Sequence, residues 1–274
     1  MKRILVPTDF SEHAENALKV AAQIAQKHNS EIIVLHMLEL PSQMNDAVLG
    51  GASIPETMLF MKKANEMLDE VSSRPYLDGI PVTEIVKMDK PIHGISQVSK
   101  EYNVDLIVMG SHGSSGIEEL LIGSNTEKVV RNSEIPVLVI KKDISNFNAT
   151  NIVFASDFSD ETKKPFEKLL NFTKFFDSKL HLVTICTPNS FKPTHVVEKA
   201  MNEFANEFNL TNYATHIYND TNIEKGIINF SNSINADIVG MCTHGRTGFA
   251  HFFNGSISEG LVNHSVKPVI TFKI

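Results

Sequence analysis

The chain has 274 residues, of which 42% are hydrophobic and 21% charged, and its formal net charge is −7. This length allows two domains of ordinary size, each with a core of its own. The net negative charge argues against broad binding to nucleic acid or to an anionic membrane, because binding to either needs a basic surface. Cys186 and Cys242 lie far apart in the sequence and form no metal or redox motif, and the N-terminal residues do not resemble a signal peptide. We therefore expect a reduced cytoplasmic protein that binds neither nucleic acid nor membrane.

Short apolar runs alternate with amphipathic segments throughout the first half of the chain. The patterns predict strands over 3–7, 31–38, 82–88, 105–109 and 137–140, and helices over 11–28, 56–72, 92–102 and 124–132. Ser11 is the expected N-cap of the first helix. Alternating strands and helices are typical of a parallel sheet covered by helices on both faces.

The second half repeats this order. It has predicted strands over 151–156, 179–185, 213–218, 237–241 and 268–274, and helices over 160–176, 196–208, 223–234 and 257–263. Residues 4–11 recur as 152–159, and residues 105–141 align without a gap to 237–273. Such similarity indicates a duplicated unit. The sequence therefore predicts two repeated, doubly wound α/β domains, 1–143 and 149–274, each a five-stranded parallel sheet with helices on both faces, joined by a linker rich in Asp, Asn and Ser.

The predicted strand over 105–109 is followed by a glycine-spaced segment. Its glycines are Gly110, Gly113 and Gly123, and Ser124 follows the last of them. Glycines permit positive φ and close backbone approach to a ligand, and the N–H groups at the start of the next helix suit a phosphate. Ser124 and Thr126 add hydroxyl donors. The segment is neither a P-loop nor a dinucleotide fingerprint, and a flexible strand-to-helix connection is the alternative interpretation.

The spacing G-x2-G-x9-G-S, together with Pro7-Thr8-Asp9 at the end of the first strand, resembles the universal stress protein family in a tandem form. The resemblance covers nearly all of both halves. It implies binding of ATP or another adenine nucleotide, with Mg²⁺ arriving with the phosphates and no metal ligand from the protein. It assigns the cofactor-binding site to Pro7, Asp9, Leu38, Met109, Gly110, His112, Gly113, Gly123, Ser124, Asn125 and Thr126.

Two of these residues have simpler interpretations. Asp9 could cap the turn before Ser11, and His112 could stabilise its loop. No catalytic residue is predicted, because no nucleophile or general base accompanies the glycine segment. The leading hypothesis is a regulatory, nucleotide-binding stress-response protein. A slow ATPase and an interaction scaffold that does not depend on nucleotide are the alternatives.

The second glycine segment is degenerate. Cys242 replaces Gly110, Ile257 replaces Asn125, and two phenylalanines, Phe252 and Phe253, precede the second Gly-Ser. Four motif residues survive, namely Asp157, Gly245, Gly255 and Ser256. We therefore expect nucleotide in the N-terminal half only.

The last strand of each half is apolar and would be an aggregation-prone edge if left open. We expect residues 137–140 and 269–272 to pair, which makes the chain an intramolecular pseudo-dimer with an approximate two-fold axis. The sequence is also compatible with association of two such chains into a homodimer.

Overall fold

The computed structural model describes residues 1–39, 54–111, 123–243 and 255–274, without the side chains of 54–56 and 255–259. In the first half the strands are β1 (Arg3–Thr8), β2 (Glu31–Leu38), β3 (Val82–Met88), β4 (Leu106–Gly110) and β5 (Val137–Ile140). The helices are α1 (Glu12–His28), α2 (Ile54–Ser72), α3 (Pro91–Glu101) and α4 (Ser124–Asn132). The predicted cap is present, because Ser11 Oγ accepts a hydrogen bond from the Ala14 N–H.

The second half repeats this order. Its strands are β6 (Asn151–Ala155), β7 (Lys179–Cys186), β8 (Tyr213–Asn219), β9 (Ile238–Thr243) and β10 (Val269–Lys273). Its helices are α5 (Lys163–Phe176), α6 (Thr194–Glu207), α7 (Ile223–Ser233) and α8 (Gly255–His264). The helix predicted over 160–176 differs at its start, where Asp160–Thr162 forms a 3₁₀ turn before α5.

All ten strands form one sheet in the order β3-β2-β1-β4-β5-β10-β9-β6-β7-β8. Every pairing within a half is parallel, and β5 pairs with β10 in the antiparallel sense. In each half the strand order reverses direction beside the first strand, between β1 and β4 and between β6 and β9. The predicted α/β class with two repeated, five-stranded parallel units is confirmed.

The helices cover both faces of the sheet. One hydrophobic layer includes buried residues of α1, α2, α5 and α6, and the opposite layer includes those of α3, α4, α7 and α8. Each layer runs through both halves, so the two halves share a core on both sides. No helix in the described residues is long and apolar enough to cross a bilayer.

The central β5–β10 pair relates the halves by a local two-fold axis. Leu138 pairs with Ile270, and these residues are equivalent positions of the repeat. Val139 pairs with Val269 on one side and Val137 with Thr271 on the other, as two-fold symmetry requires. The predicted intramolecular pairing of the final strands is present in the structure.

Two equivalent lysines add hydrogen bonds across this junction. The Lys141 ammonium donates to the carbonyl of Asn263 near the end of α8. The Lys273 ammonium donates to the carbonyl of Asn132 at 3.3 Å, at the end of α4. A cation at a helix C-terminus complements the helix dipole. Each half thus caps the last helix of the other.

Burial lowers the pKa of Lys141 from its ordinary 10.5 to about 8. Between these values the folded chain has released the proton while the unfolded chain still binds it, so the free energy of unfolding rises with pH. We expect this group to contribute about 1 kcal/mol between pH 8 and 10, discounted for its partial exposure. Lys141→Met should remove that rise in urea unfolding, whereas Lys273→Met should retain it. If the free energy of unfolding changes with pH in the same way in the parent chain and in Lys141→Met, this assignment is contradicted.

Candidate functional site

A cleft of about 1000 Å³ lies at the carboxyl ends of β1 and β4. This is the point where the strand order reverses, and ligands of open α/β sheets bind at such points. The cleft brings together most of the residues predicted from the sequence, namely Pro7, Asp9, Met109, Gly110, Gly123, Ser124, Asn125 and Thr126. His112 and Gly113 lie outside the described residues.

A tight turn positions Asp9 immediately after β1. Thr8 Oγ1 accepts a hydrogen bond from the Phe10 N–H at 3.0 Å, and Asp9 Oδ1 accepts one from the Ser11 N–H at 3.1 Å. Phe10 has a φ of 65°, which is uncommon for a bulky residue. The simpler interpretation of Asp9 therefore describes a real contact, because its carboxylate stabilises the turn. The same carboxylate also lines the cleft.

Gly110 is required by packing against α1. A β-carbon at this position would lie 2.6 Å from the carbonyl carbon and oxygen of His13 and 3.0 Å from the Ala14 nitrogen. Gly110 is not among the residues with positive φ, and Gly123 has a φ of −59°. The expectation that these two glycines serve a positive-φ turn is therefore wrong. Gly110 instead lets the first turn of α1 lie directly against the end of β4.

The first turn of α4 closes the opposite side of the cleft. Gly123 is its N-cap and has no side chain to accept the exposed N–H groups that follow. The Thr126 hydroxyl donates to the Gly110 carbonyl at 2.9 Å and is buried. Thr126 therefore ties α4 to β4 rather than offering its proton to a ligand. The N–H groups of this turn, with the dipole of α4, make it the anion-attracting side of the cleft.

The remaining wall is mostly apolar and includes residues that the sequence alone did not indicate. They are Thr8, Ala14, Leu35, Met37, Glu39, Pro91 and Ile95. Leu38 is not among the lining residues, because alternate residues of a strand face the same side and Leu35, Met37 and Glu39 already face the cleft.

The equivalent region of the second half is a smaller pocket of about 650 Å³. The turn after β6 has the same hydrogen bonds as the turn after β1. Ser156 Oγ accepts a hydrogen bond from the Phe158 N–H at 2.9 Å, and Asp157 Oδ1 accepts one from the Ser159 N–H at 3.1 Å. Phe158 has a φ of 57°. Asp157 lines this pocket. Of the other predicted residues of the second site, Gly255 and Ser256 begin α8, and Gly245 lies outside the described residues.

The side chain of Cys242 occupies the position of Gly110 and is fully buried. The backbone equivalent to His13 and Ala14 lies in the 3₁₀ turn Asp160–Thr162, so the second half enters its helix by a different turn. Burial, reinforced by the nearby Asp157 carboxylate, raises the pKa of the Cys242 thiol above its usual range. The thiol stays protonated and acts as a packing residue.

Comparison with known proteins matches one family description twice, "Universal stress protein family", over residues 1–141 and 148–273. Universal stress protein MJ0577 of Methanocaldococcus jannaschii is 31% identical over 154 residues, which cover 52% of this chain and 95% of that protein. Universal stress protein Slr1230 of Synechocystis sp. is 23% identical over 297 residues and covers 100% of both chains. A universal stress protein structure from Archaeoglobus fulgidus gives a TM-score of 0.75 at 26% identity, over 99% of this chain and 98% of that one.

The packing role of Gly110 predicts a loss of stability on substitution. Gly110→Ala should lower the free energy of unfolding by about 1–3 kcal/mol, because the methyl group meets backbone that cannot rotate away. Gly240→Ala is the matched control in β9, where the nearest atom to an added β-carbon is Val153 O at 3.4 Å. It should stay within about 1 kcal/mol of the parent. Equal losses in the two variants, measured by urea unfolding, would refute the packing role.

Proposed function

The chain belongs to the universal stress protein family, and we propose that its N-terminal half binds an adenine nucleotide, with ATP as the first candidate. The observation that carries this proposal is the cleft at the reversal point of the strand order, which the Asp9 turn and the first turn of α4 border. We propose domain limits of 1–143 and 149–274, with the intact motif in the first domain and the degenerate one in the second.

The chemistry of the cleft fits the three parts of a nucleotide. Leu35, Met37 and Ile95 form an apolar wall for a base. The carboxylates of Asp9 and Glu39 lie at strand ends, where acidic residues of other nucleotide-binding α/β folds accept hydrogen bonds from ribose hydroxyls. The uncapped first turn of α4, with Ser124 and Asn125, provides donors for phosphate oxygens.

Magnesium would enter this site with the phosphates. Mg²⁺ prefers oxygen ligands and retains several waters, so nucleotide phosphates and one carboxylate suffice to hold it. The carboxylates of Asp9 and Glu39 supply oxygen atoms of that kind. When bound, the ion would neutralise phosphate charge beside these two acidic residues.

We propose a regulatory role in which nucleotide occupancy is the signal and turnover is slow at most. A multiple-turnover assay of ATP hydrolysis distinguishes this role from that of an ATPase. Identification of the small molecules released from denatured, freshly purified protein distinguishes it from a scaffold that does not depend on nucleotide. An adenine nucleotide released without sustained hydrolysis supports the regulatory role.

Gly123→Val should abolish ATP binding. A branched side chain at the N-cap of α4 would occupy the space beside the N–H groups that a phosphate needs. The matched control is Gly255→Val at the equivalent position of the second half, which should bind ATP like the parent chain. Calorimetry in the presence of Mg²⁺ measures both affinities. An unchanged ATP affinity in Gly123→Val would refute the site assignment.

The parent chain should bind one nucleotide, in its N-terminal half. Cys242 adds a side chain where Gly110 has none, and a 3₁₀ turn precedes α5, whereas α1 begins directly after its Ser11 cap. Cys242→Gly alone should therefore leave the stoichiometry at one, because the substitution does not restore the turn. Two nucleotides bound per parent chain with similar affinities, measured by equilibrium dialysis, would refute this assignment.

A further inference from the structure

A second cavity of the first half lies between α1 and the C-terminal part of α2. It belongs to the layer of α1 and α2, whereas Leu35 and Ile95 of the nucleotide cleft belong to the opposite layer. About 180 Å³ of the cavity is open to the centres of water-sized groups, and roughly 10–15 Å³ of such space holds one water molecule. We propose that this cavity binds an α-amino acid with an apolar side chain.

Two buried donor groups at the cavity lack an acceptor. Arg74 Nε and Tyr76 Oη are buried and have no hydrogen-bond partner in the described part of the chain. The Arg74 N–H can only donate. The phenol stays protonated, because burial and the Glu15 carboxylate raise the pKa of Tyr76 to about 12. Buried donors without an acceptor are unfavourable, and a ligand carboxylate would accept charge-assisted hydrogen bonds from both.

The cavity also offers negative charge to a ligand. Glu15 and Glu70 line it together with Arg74, so two carboxylates accompany one cation among the described lining residues. Glu70 pairs with Arg74, with 3.6 Å between Oε1 and Nη2, whereas Glu15 has no ion-pair partner among the described residues. Residues 40–56 and 112–122 contain no lysine or arginine, so these stretches of the first half cannot supply a balancing one. An ammonium group on the ligand would be attracted to this excess of negative charge.

The positive and negative groups of the cavity lie close to one another. The charges of Glu15 and Arg74 both act on the phenol of Tyr76, and Glu70 lies one helical turn before Arg74. A ligand therefore needs its own opposite charges close together, and an α-amino acid carries its ammonium and carboxylate groups on the same carbon atom.

The rest of the lining determines the kind of side chain. Phe10, Leu18, Met67 and Val71 contribute apolar surface to the cavity. Burial of an apolar side chain against this surface would add to the affinity, because apolar surface is removed from water on both sides of the contact.

The second half fills the equivalent space with aromatic rings. Phe166 stands at the position of Leu18, and its ring centroid lies 4.7 Å from that of Phe204. Lys163 stands at the position of Glu15, and its ammonium pairs with two carboxylates. The cavity is therefore a feature of the first half, where the smaller leucine and the unpaired carboxylate leave both room and charge for a ligand.

L-Leucine is a suitable probe, and calorimetry of the full chain measures its binding. We expect one leucine bound per chain, with a Kd below about 1 mM. Isocaproate is leucine without the ammonium group, and isoamylamine is leucine without the carboxylate. Each should bind at least about tenfold more weakly than leucine, because each loses one of the two charged contacts.

Two substitutions test the contacts directly, each with a matched control. Tyr76→Phe should weaken leucine binding about tenfold, whereas Tyr213→Phe in the second half should bind leucine like the parent chain. Glu15→Gln should weaken it at least about tenfold, whereas Glu12→Gln, at an exposed position of the same helix, should leave it unchanged. Without leucine, Tyr76→Phe should unfold at no lower a temperature than the parent, because the hydroxyl that it removes has no protein partner.

The proposal is overturned if the parent chain shows no saturable leucine binding up to about 10 mM, since the cavity then holds water alone. It is also overturned if isocaproate or isoamylamine binds as tightly as leucine, or if folded Tyr76→Phe and Glu15→Gln both bind leucine like the parent. Displacement of leucine by ATP, one for one, would place leucine in the nucleotide cleft and overturn it as well. Gly123→Val should bind leucine like the parent, so failure of the nucleotide assignment would leave the leucine result unchanged.

Discussion

The antiparallel pairing of β5 with β10 is the constraint on which the rest of the structure depends. All other strand pairings are parallel, so this single pair reverses the strand direction between the two halves. If the sheet is viewed with its strands vertical, the carboxyl ends of the first five strands therefore lie at the top and those of the last five lie at the bottom. The pairing also covers two apolar edge strands and joins the hydrophobic layers of both halves. The cleft of the first half and the pocket of the second half lie at these opposite strand ends, so one ligand cannot bridge them. The residues that line one of them can therefore change without altering the other.

At one pair of equivalent core positions, the larger side chain belongs to the strand in the first half and to the helix in the second half. In the first half, Ala21 of α1 packs in the same layer as Val108 of β4. The equivalent pair in the second half is Leu169 and Gly240, where an added β-carbon on the glycine would lie 3.5 Å from Leu169 Cδ1. The helix residue is the smaller member of the pair in the first half and the larger member in the second. Such compensation keeps a core densely filled while the sequence changes.

Much of the fold could be predicted from the sequence because apolar periodicity determines which residues are buried. The bounds predicted for β2, β3, α4 and β5 agree with the structure, and the Ser11 cap is present. The 3₁₀ turn at 160–162 was not predicted, because the pattern of residues 160–176 is that of one continuous amphipathic helix. The site was predicted less completely than the fold. Asp9, Gly110 and Ser124 follow from local motifs, whereas Leu35, Glu39 and Ile95 reach the cleft only through the strand order and the direction of their side chains.

Survival of motif residues in the second half is a weaker indicator of nucleotide binding than it is in the first. Asp157 has a structural role that would preserve it without any ligand, because its carboxylate holds the turn that leads to α5, as Asp9 does before α1. The left-handed conformation of Phe10 and Phe158 depends on that turn in both halves. The two pockets differ in the described residues outside the motif that line them. In the first half the described lining includes the carboxylates of Asp9 and Glu39 and the first turn of α4. In the second half α6 provides Val196, Val197 and Ala200 to the lining, and no carboxylate equivalent to that of Glu39 accompanies Asp157 among the described lining residues.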